Sequence, residues 1–504
     1  MIAGSDEAGG LARGVVGSAR TIAFGTSIVA PSASAATVLV LVVAYAGFAS
    51  PLVVLITFAG SLCCALSIGQ FAGRLPSAGW AYTYNSRGLG PAAGFLTGWM
   101  MIFAYALFVP AGVGLTSAFG SQLLTSTLHV TIAPWALFIV VLTAAVFLAY
   151  LGITTSASVD LLLVAGEVAV IAALAITILV KIGPAHYSAA VLSPASSPNQ
   201  RLTDLTDAMI YGFTAFAGFE AAAALGEEAT NARRSVPVSI VGVVVVTGIF
   251  YLLVVCAEAF AVGRHGIVGL IGKASPLGYL TSRFWSPSVL WSIDLVIVLA
   301  GLSFVVASVN AAIRVMYTMG RERALPGPLG RLSHRRTPVA AIGCLAAVTL
   351  LIGLPLTYVY GGVPTFGYLA GIGGLPVVLI YFAVNIAVIR AFRTEFRDEF
   401  RPVPHLLIPA AASVVFLFPL WGILFPGAYT LANLLPFISL GWLLIGAIAA
   451  AISRARRPAT YQALGGGRRT KPRYTARART RRPLQRSRGC RKRTARTGPL
   501  CPGR

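Results

Sequence analysis

Long apolar stretches, separated by short polar segments, run along most of the chain. A helix needs about 20 mainly apolar residues to cross a bilayer. Backbone groups in hydrocarbon need partners within their own segment, and these stretches lack the alternation of barrel strands. The pattern therefore predicts an all-α membrane protein with about twelve transmembrane helices. The stretches lie near residues 21–48, 52–73, 92–120, 132–153, 161–182, 208–226, 236–262, 286–318, 339–356, 366–390, 405–425 and 430–452.

The first and the sixth of these stretches are interrupted by small and polar residues. In the first, "TIAFGTSIVAPSASAATV", Pro31 removes a backbone donor and favours a kink or an unwound turn. The sixth contains Gly212, Thr214 and Gly218 in an otherwise apolar run. Interrupted segments in matching positions are typical of an inverted repeat whose half-helix ends build a binding site near the bilayer midplane. We therefore expect broken helices 1 and 6 in a five-plus-five inverted repeat, whereas the alternative is that these residues only permit close helix packing.

Composition and charge support a membrane protein and orient it. Hydrophobic residues make up 57% of the chain and charged residues 11%, and the mean hydropathy is +0.81, which argues against a soluble class. If the N-terminus is inside, sixteen basic residues before position 454 fall in inside segments and five in outside segments. Because Lys and Arg are retained on the cytoplasmic side, we expect both termini in the cytoplasm. The excess of Arg over Lys indicates a GC-rich bacterium, and hence the cell membrane.

The strongest charge lies at the C-terminal end. Eighteen of the 39 basic residues follow residue 453, where no acid occurs, so the rest of the chain carries +24 − 18 = +6. We divide the chain into a cytoplasmic N-terminus (1–20) with no signal-peptide pattern, a twelve-helix membrane domain (21–453) and a basic disordered tail (454–504). The tail charges are expected to be solvated or to rest on anionic lipid. The tail lacks interleaved aromatic rings, so no nucleic acid is expected as a partner.

Motifs of enzyme chemistry are missing from the sequence. There is no HExxH, no Gly-rich phosphate loop with Lys, no catalytic-triad spacing and no nucleotide-binding domain. The six cysteines have no spacing typical of zinc sites or redox pairs. We therefore predict no enzyme activity, no catalytic residue, no metal and no cofactor, and the chain lacks the parts for ATP-driven transport.

Three stretches carry a resemblance to a known family. "RLPSAGWAYTYNSRGLGPAAGFLTGW" (74–99) is similar to that family's second loop and start of the third helix, with its P-x-A-G-x-Y-x-Y run. "FTAFAGFEAAAALGEEATNARRSVP" (213–237) is similar to its sixth-helix signature, and "NAAIRVMYTMGRERALP" (310–326) to the end of its eighth helix. The chain thus resembles the amino acid, polyamine and organocation transporter superfamily, of the bacterial amino acid permease type. Ala232 stands where the signature usually has Pro, and Glu167 is the nearest residue to a fifth-helix Lys of many members.

The resemblance implies a binding site for an amino acid or amine at the two broken helices. Burying a carboxylate or an ammonium is costly unless each is paired or hydrogen-bonded. Free N–H groups at a half-helix start suit the carboxylate, and free carbonyls at a half-helix end suit the ammonium. We predict that backbone groups bind more than side chains, and that Phe213 or Phe216 shapes a gate or only packs. The predicted substrate-binding residues are Thr26, Ser27, Ala30, Ser32, Phe213, Thr214 and Phe216.

Acidic residues at membrane depth are candidates for ion coupling, because a carboxylate there is costly and often functional. These acids are Asp160, Glu167, Glu220, Glu258 and Asp294. Burial disfavours the charged form, so Glu167 is the candidate for exchanging a proton near neutral pH, and Glu220 lies within the resembling motif. Ser303 and Ser308 are candidates for a cation site with first-helix carbonyls. The alternative is that these side chains are hydrogen-bonded structural groups.

We therefore expect a secondary active transporter of amino acids that works by alternating access, with proton symport favoured over exchange. The rival hypotheses are an amino acid or polyamine exchanger, a non-transporting membrane sensor of substrate, and a twelve-helix facilitator of another superfamily. The facilitator would carry a Gly-Asp-Arg-Gly-Arg type loop between helices two and three, which "AGRLPSAGWAYTY" lacks. The sensor would need an ordered output domain, for which the tail has no apolar periodicity.

Overall fold

The protein was analysed as a computed structural model, which describes residues 11–271, 275–425 and 434–465. The described residues form a bundle of helices with one isolated backbone bridge, between Val16 and Ala229, and no sheet. The helices are α1 Ser18–Val29, α2 Pro31–Ala36, α3 Val38–Ala46, α4 Ser50–Ala72, α5 Ala81–Gly88, α6 Pro91–Leu128, α7 Pro134–Leu151, α8 Ile153–Ile182, α9 Leu202–Phe216, α10 Ala232–Ile271 (kinked at Gly263), α11 Pro276–Phe284, α12 Trp291–Arg321, α13 Val339–Tyr360, α14 Gly362–Thr394, α15 Ile408–Leu424, α16 Ile438–Arg456 and α17 Pro458–Gln462.

Eleven segments of the described chain are long and apolar enough to cross a membrane. The difference from the predicted count of about twelve arises at the N-terminal end. There the predicted first helix is divided into α1, α2 and α3. Helix α3 and the predicted second helix, α4, together count as one segment, Val38–Ala72. The prediction of an all-α membrane fold is confirmed. The helices extend past residue 453, the predicted end of the membrane domain, because α16 and α17 reach residue 462; residues 466–504 of the predicted tail lie outside the described residues.

Several helices are longer than their apolar stretches predicted. Helix α8 begins at Ile153 rather than near 161, although its first turns read "ITTSASVD". Hydroxyl groups in these turns donate to carbonyls of the preceding turn: Ser158 Oγ donates to Thr154 O at 2.6 Å and Ser156 Oγ to Gly152 O at 3.3 Å. Because such bonds satisfy the hydroxyl within the helix, polar residues can continue a membrane helix.

The two predicted helix breaks are present. Between α1 and α2, Ala30 adopts a left-handed conformation with φ 48°. After α9, Gly218 has φ 104°, and the chain continues as a short 3-10 helix, Phe219–Leu225. Pro31 starts α2 as its first residue, where its missing N–H has no helical partner to lose. The break therefore falls one residue before the proline that predicted it.

One end of the bundle, where α4, α12 and α14 finish, is tightly packed and is called the closed end below. Residues Phe219–Leu225 are all buried there, as are Trp80, Tyr82 and Tyr84. The N-terminal segment joins this end, since the N–H groups of Val15 and Val16 donate to the carbonyl of Glu228 at 2.9 and 3.1 Å.

Four ion pairs among the described residues link different segments at the closed end. They are Arg314 with Glu228 (2.6 Å), Arg321 with Glu227 (2.9 Å), Arg74 with Glu399 (2.5 Å), and Arg87 with Glu395. Only the Arg314–Glu228 pair is fully buried, its side chains being 5% and 3% exposed. Because truncating one partner of a buried pair leaves a charge unpaired, removing one side chain should cost more for this pair than for the exposed ones.

Candidate functional site

The two helix breaks lie against each other in the middle of the bundle. A β-carbon placed on Gly218 would lie 2.4 Å from Cγ2 of Ile28 and 3.2 Å from its carbonyl carbon and oxygen. Only glycine combines the positive φ of this position with so close an approach. The end of α1 and the start of the 3-10 helix are therefore in direct contact.

Each break leaves backbone groups without partners inside a helix. The first N–H groups of α2 and the last carbonyls of α1 and α9 have no intrahelical partner, as at every helix end. Some are satisfied by neighbours: the N–H of Ala30 donates to Thr26 O and Ser27 O, and Tyr251 Oη donates to Ala215 O at 2.8 Å. The start of α2 offers N–H groups, and the ends of α1 and α9 offer carbonyls, so the breaks present donors and acceptors at one place.

A cavity adjoins the breaks and extends toward the end of the bundle at which α14 begins and α15 ends. Its empty volume is about 960 Å³, open space included. Its polar lining groups include Ser34, Thr214 and Tyr381, and within the described part of the chain none of its lining residues carries a formal charge. Most of its wall is apolar and is formed by residues such as Val38, Phe108, Leu115, Phe304, Phe366, Val377, Phe416 and Ile423.

Tyr381 of α14 separates the cavity from a buried acid. Its hydroxyl donates to the carboxylate of Glu220 and accepts from the N–H of Gly218 at 3.1 Å. Glu220 is only 3% exposed and is not among the cavity-lining residues. Tyr381 thus connects the break after α9 to the carboxylate of Glu220, which lies on the side of the closed end.

A second polar cluster joins α1, α8 and α12. Ser303 Oγ lies 2.8 Å from Ser27 Oγ and 3.3 Å from Asp160 Oδ1, and all three side chains are fully buried. The second oxygen of Asp160 has no hydrogen-bond partner in the part of the chain described. Glu167, two helical turns further along α8, is also fully buried, and neither of its carboxyl oxygens has such a partner.

The structure divides the predicted substrate-binding residues into two groups. Ala30, Phe213 and Thr214 line the cavity. Ser27 belongs instead to the polar cluster with Ser303 and Asp160. The remaining three, Thr26, Ser32 and Phe216, are buried and absent from the cavity wall.

Helix packing explains where these remaining residues point. Phe216 follows Phe213 by less than one turn and faces away from the cavity, with its ring 6.1 Å from that of Phe58 and 5.2 Å from that of Tyr251. The hydroxyls of Thr26 and Ser32 are buried and have no partner among the described residues. Neither residue is among those that line the cavity.

Most of the apolar wall was missed by sequence reasoning. Phe108, Phe304, Phe366 and Phe416 come from four different helices, α6, α12, α14 and α15. Each of them stands in a run of similar apolar residues, so no linear signal separates it from a lipid-facing or packing residue. Tyr381 was also missed, and its only signal is a hydroxyl within an apolar span.

A model of the family described as "Amino acid permease" matches residues 32–443. The chain belongs to the amino acid permease family. The match includes the second helix break, Asp160, Ser303 and the cavity-lining residues from Ala33 onward, whereas the first break at Ala30 lies just before it. The resemblance inferred from the sequence is thereby confirmed.

The chain is similar to several curated transporters. The branched-chain amino acid permease BcaP of Bacillus subtilis is 27% identical over 403 residues, which cover 76% of this chain and 81% of the relative. BcaP of Lactococcus lactis is 24% identical over 383 residues, covering 71% and 78%. The low-affinity putrescine importer PlaP of Escherichia coli is 25% identical over 297 residues, covering 57% and 63%. The relatives thus include permeases for apolar amino acids and an importer of a diamine.

Proposed function

We propose that this permease carries a neutral amino acid with an aliphatic side chain across the bacterial cell membrane by alternating access, with both termini in the cytoplasm. The observation that supports this most is the apolar cavity that adjoins two contacting helix breaks. The breaks supply N–H groups and carbonyls that lack partners within a continuous helix, and the described cavity wall carries no formal charge. An α-amino acid has matching parts, because its carboxylate and ammonium need partners and its side chain needs an apolar surface.

The substrate carboxylate would accept from the N–H groups that open α2, at Ser32 and Ala33, and the favourable end of the α2 dipole lies behind them. The ammonium would donate to carbonyls at the ends of α1 and α9, beside Ala30 and Phe213. Thr26, Ser32 and Phe216, which lie outside the cavity wall, would contribute only through backbone or packing.

The cavity wall favours an aliphatic side chain over a charged one. No lining residue among those described carries a formal charge, so a second ammonium or carboxylate on the substrate would be buried without an ionic partner. Glu220 lies nearby, but its carboxylate already accepts from Tyr381. The similarity to BcaP, which is named for branched-chain amino acids, supports this choice over a diamine such as the one that PlaP imports.

Alternating access would begin from the arrangement described here. The cavity extends away from the closed end, which we place on the cytoplasmic side because most basic residues of the bundle lie there. Opening toward the cytoplasm requires the segments joined by Arg314–Glu228 and Arg321–Glu227 to separate. The inverted repeat expected from the sequence would allow such a rocking motion between halves.

A proton is the proposed coupling ion. Glu167 and Asp160 are buried carboxyls on the same helix, and neither has an ionic partner among the described residues. A carboxylate without a partner in such surroundings is costly, and a bound proton removes that cost. Asp160 contacts Ser303, and Ser303 contacts Ser27 of α1. Protonation of Asp160 would therefore change the contacts of α1, the helix whose end would bind the substrate. Glu167 and Glu220 would complete the set of proton-exchanging groups.

The test is uptake by proteoliposomes containing the purified protein, with and without an inward proton gradient. The panel contains leucine, isoleucine, valine, lysine, glutamate and putrescine. We expect gradient-driven accumulation of the aliphatic amino acids at rates at least about tenfold above those for the charged substrates, since burying an unpaired charge costs more than 1.4 kcal/mol. Uptake that needs only internal substrate would favour an exchanger, and putrescine uptake at the leucine rate would contradict the proposed substrate class.

The substitution Tyr381→Phe tests the link between the break after α9 and Glu220. The substitution removes the donor to a buried carboxylate and the acceptor for the Gly218 N–H, each worth about 1–3 kcal/mol. We expect a roughly tenfold higher KM for the preferred amino acid and a lower apparent Tm, measured by uptake and by thermal unfolding in detergent.

Tyr84→Phe is the matched control for this prediction, because Tyr84 is equally buried and its hydroxyl has no partner among the described residues. It should leave both quantities unchanged or raise the Tm slightly. Equal effects of the two substitutions would show that the Tyr381 hydroxyl has no special role.

A further inference from the structure

The chain after the last long helix folds back onto the closed end. Helix α16 ends at Arg456, and the short helix α17, Pro458–Gln462, follows at once. Two apolar side chains of this segment are buried, Tyr461 at 6% exposure and Leu464 at 3%. The predicted disordered tail therefore begins with a packed segment, residues 457–465, which is called the C-terminal clamp below.

The clamp ends in a three-way hydrogen bond. The N–H of Gly465 donates to Glu322 Oε2 at 2.7 Å and lies 3.1 Å from Tyr82 Oη. The hydroxyl of Tyr82 donates to the same carboxylate oxygen at 2.5 Å. Tyr82 belongs to α5 and Glu322 directly follows α12, so the clamp bonds to a group that already joins two segments. Bonds to a charged acceptor are the stronger class of protein hydrogen bonds.

The fit of the clamp against α5 is close. Gly465 has φ 67°, a conformation that side chains other than glycine rarely adopt. A β-carbon at this position would lie 2.0 Å from Cβ and 2.2 Å from Oγ of Ser86 on α5. The backbone of the clamp thus contacts α5 at a distance that excludes any side chain, which indicates a specific seat.

The seat lies beside the ion pairs that close this end of the bundle. Arg321, the neighbour of Glu322, pairs with Glu227, and the N–H of Ala78 lies 3.4 Å from Glu227 Oε1. Glu227 follows the buried 3-10 helix Phe219–Leu225, which begins at the break after α9. Helix α5, the end of α12 and the segment that follows the 3-10 helix thus meet at one place. The clamp links α5 to the end of α12 from outside.

We propose that α5 and the end of α12 form a binding site for the chain's own C-terminal clamp, and that the bound clamp stabilises the closed end against opening. The proposal goes beyond substrate transport, because it concerns an equilibrium between closed and open states that exists without substrate. A clamp that binds only the closed state shifts this equilibrium by its binding free energy. A segment that packed without preference for either state would shift nothing.

Hydrogen–deuterium exchange of the protein in lipid nanodiscs, without substrate, tests the proposal. The full chain is compared with two truncations, one after Gly467, which keeps the clamp, and one after Arg456, which removes it. We expect amides of residues 81–90 and 226–231 to exchange about tenfold faster after the Arg456 truncation, as the loss of a hydrogen bond to a charged group predicts. The Gly467 truncation should match the full chain.

Point variants remove the contact without shortening the chain. Gly465→Ala introduces both a strained φ and the overlap with Ser86, and Leu464→Ser removes the buried apolar anchor; both residues follow the last long helix. Gly327→Ala is the control, because a β-carbon there meets nothing within 4 Å and the residue lies on the same end of the bundle. Both clamp variants should reproduce the Arg456 truncation, and the control should behave as the full chain does.

The exchange of other segments separates closure from general stability. Amides within α3 and α15, which do not pack against α5 or α12, should be unaffected in every variant. Equal exchange at residues 81–90 in all six proteins would overturn the proposal. Faster exchange throughout the bundle would also overturn it, since the segment would then stabilise the fold and not the closed state.

Discussion

A Gly218→Ala variant is expected to reach the membrane but to lose amino acid uptake by about 100-fold or more. A residue other than glycine at φ 104° is strained by about 1–3 kcal/mol. Its β-carbon would also overlap Ile28 of the first break at 2.4 Å, so the two breaks would be forced apart. Because each 1.4 kcal/mol corresponds to a factor of ten, the combined displacement is sufficient for such a loss. Initial rates of leucine uptake by proteoliposomes measure it.

The control for this variant is Gly371→Ala on α14. A β-carbon at Gly371 meets no atom within 4 Å and its φ is not positive, so uptake should stay within about twofold of the unaltered protein. Size-exclusion profiles of both variants check that the bundle has formed. Normal uptake by a well-folded Gly218→Ala protein would show that the contact between the breaks does not hold the substrate.

A Glu167→Gln variant is expected to lose most gradient-driven accumulation while keeping exchange of internal for external amino acid. Glutamine preserves the shape of the side chain but cannot exchange a proton. Coupling free energies of 1–3 kcal/mol correspond to about 5- to 150-fold, so accumulation ratios should fall by about tenfold. The measurement is leucine accumulation at fixed external pH with and without an inward proton gradient.

Two further substitutions locate the coupling group. Asp160→Asn alters the carboxyl that contacts Ser303, and Glu258→Gln alters a buried acid on α10 that lies outside the α1, α8 and α12 cluster. We expect Glu258→Gln to retain the gradient effect. Loss of coupling in Asp160→Asn but not in Glu167→Gln would move the proton site to Asp160. Retention in both would contradict proton coupling through α8.

The fold and the helix breaks were predictable because they leave marks on the sequence. Membrane helices require long apolar runs, and a proline or glycine within such a run marks a break. Pro31 placed the first break to within one residue, and the group Gly212, Thr214 and Gly218 indicated the second, which lies at Gly218. Helix ends were less predictable, since the hydroxyls of Ser156 and Ser158 are satisfied by their own helix and allow α8 to begin earlier than its apolar run.

The cavity wall was not predictable, because it depends on which face of each helix points inward. A helix surrounded by lipid on one side and protein on the other has apolar residues on both faces, so periodicity does not distinguish them. Phe213 and Phe216 illustrate the limit: both are aromatic residues before the same break, yet only Phe213 lines the cavity. The contact of Ser27 with Ser303 spans 276 positions of sequence and likewise has no local signal.

The coupling site shows a similar limit. The sequence indicated that Asp160, Glu167 and Glu220 lie at membrane depth, where a carboxylate is costly, but it did not indicate their neighbours. The structure places Asp160 against Ser303 and Glu220 against Tyr381, while Glu167 has no hydrogen-bond partner in the described part of the chain. These three environments are chemically different, and they give the substitutions above different expected results.

The most direct test of the account is counterflow of labelled leucine in proteoliposomes preloaded with unlabelled leucine, with no ion gradient. Counterflow requires that the protein bind leucine on one side and release it on the other, whatever the coupling ion. We predict transient accumulation of the label that is abolished by Gly218→Ala and retained by Glu167→Gln. Binding of leucine without counterflow would contradict transport and would favour a membrane sensor.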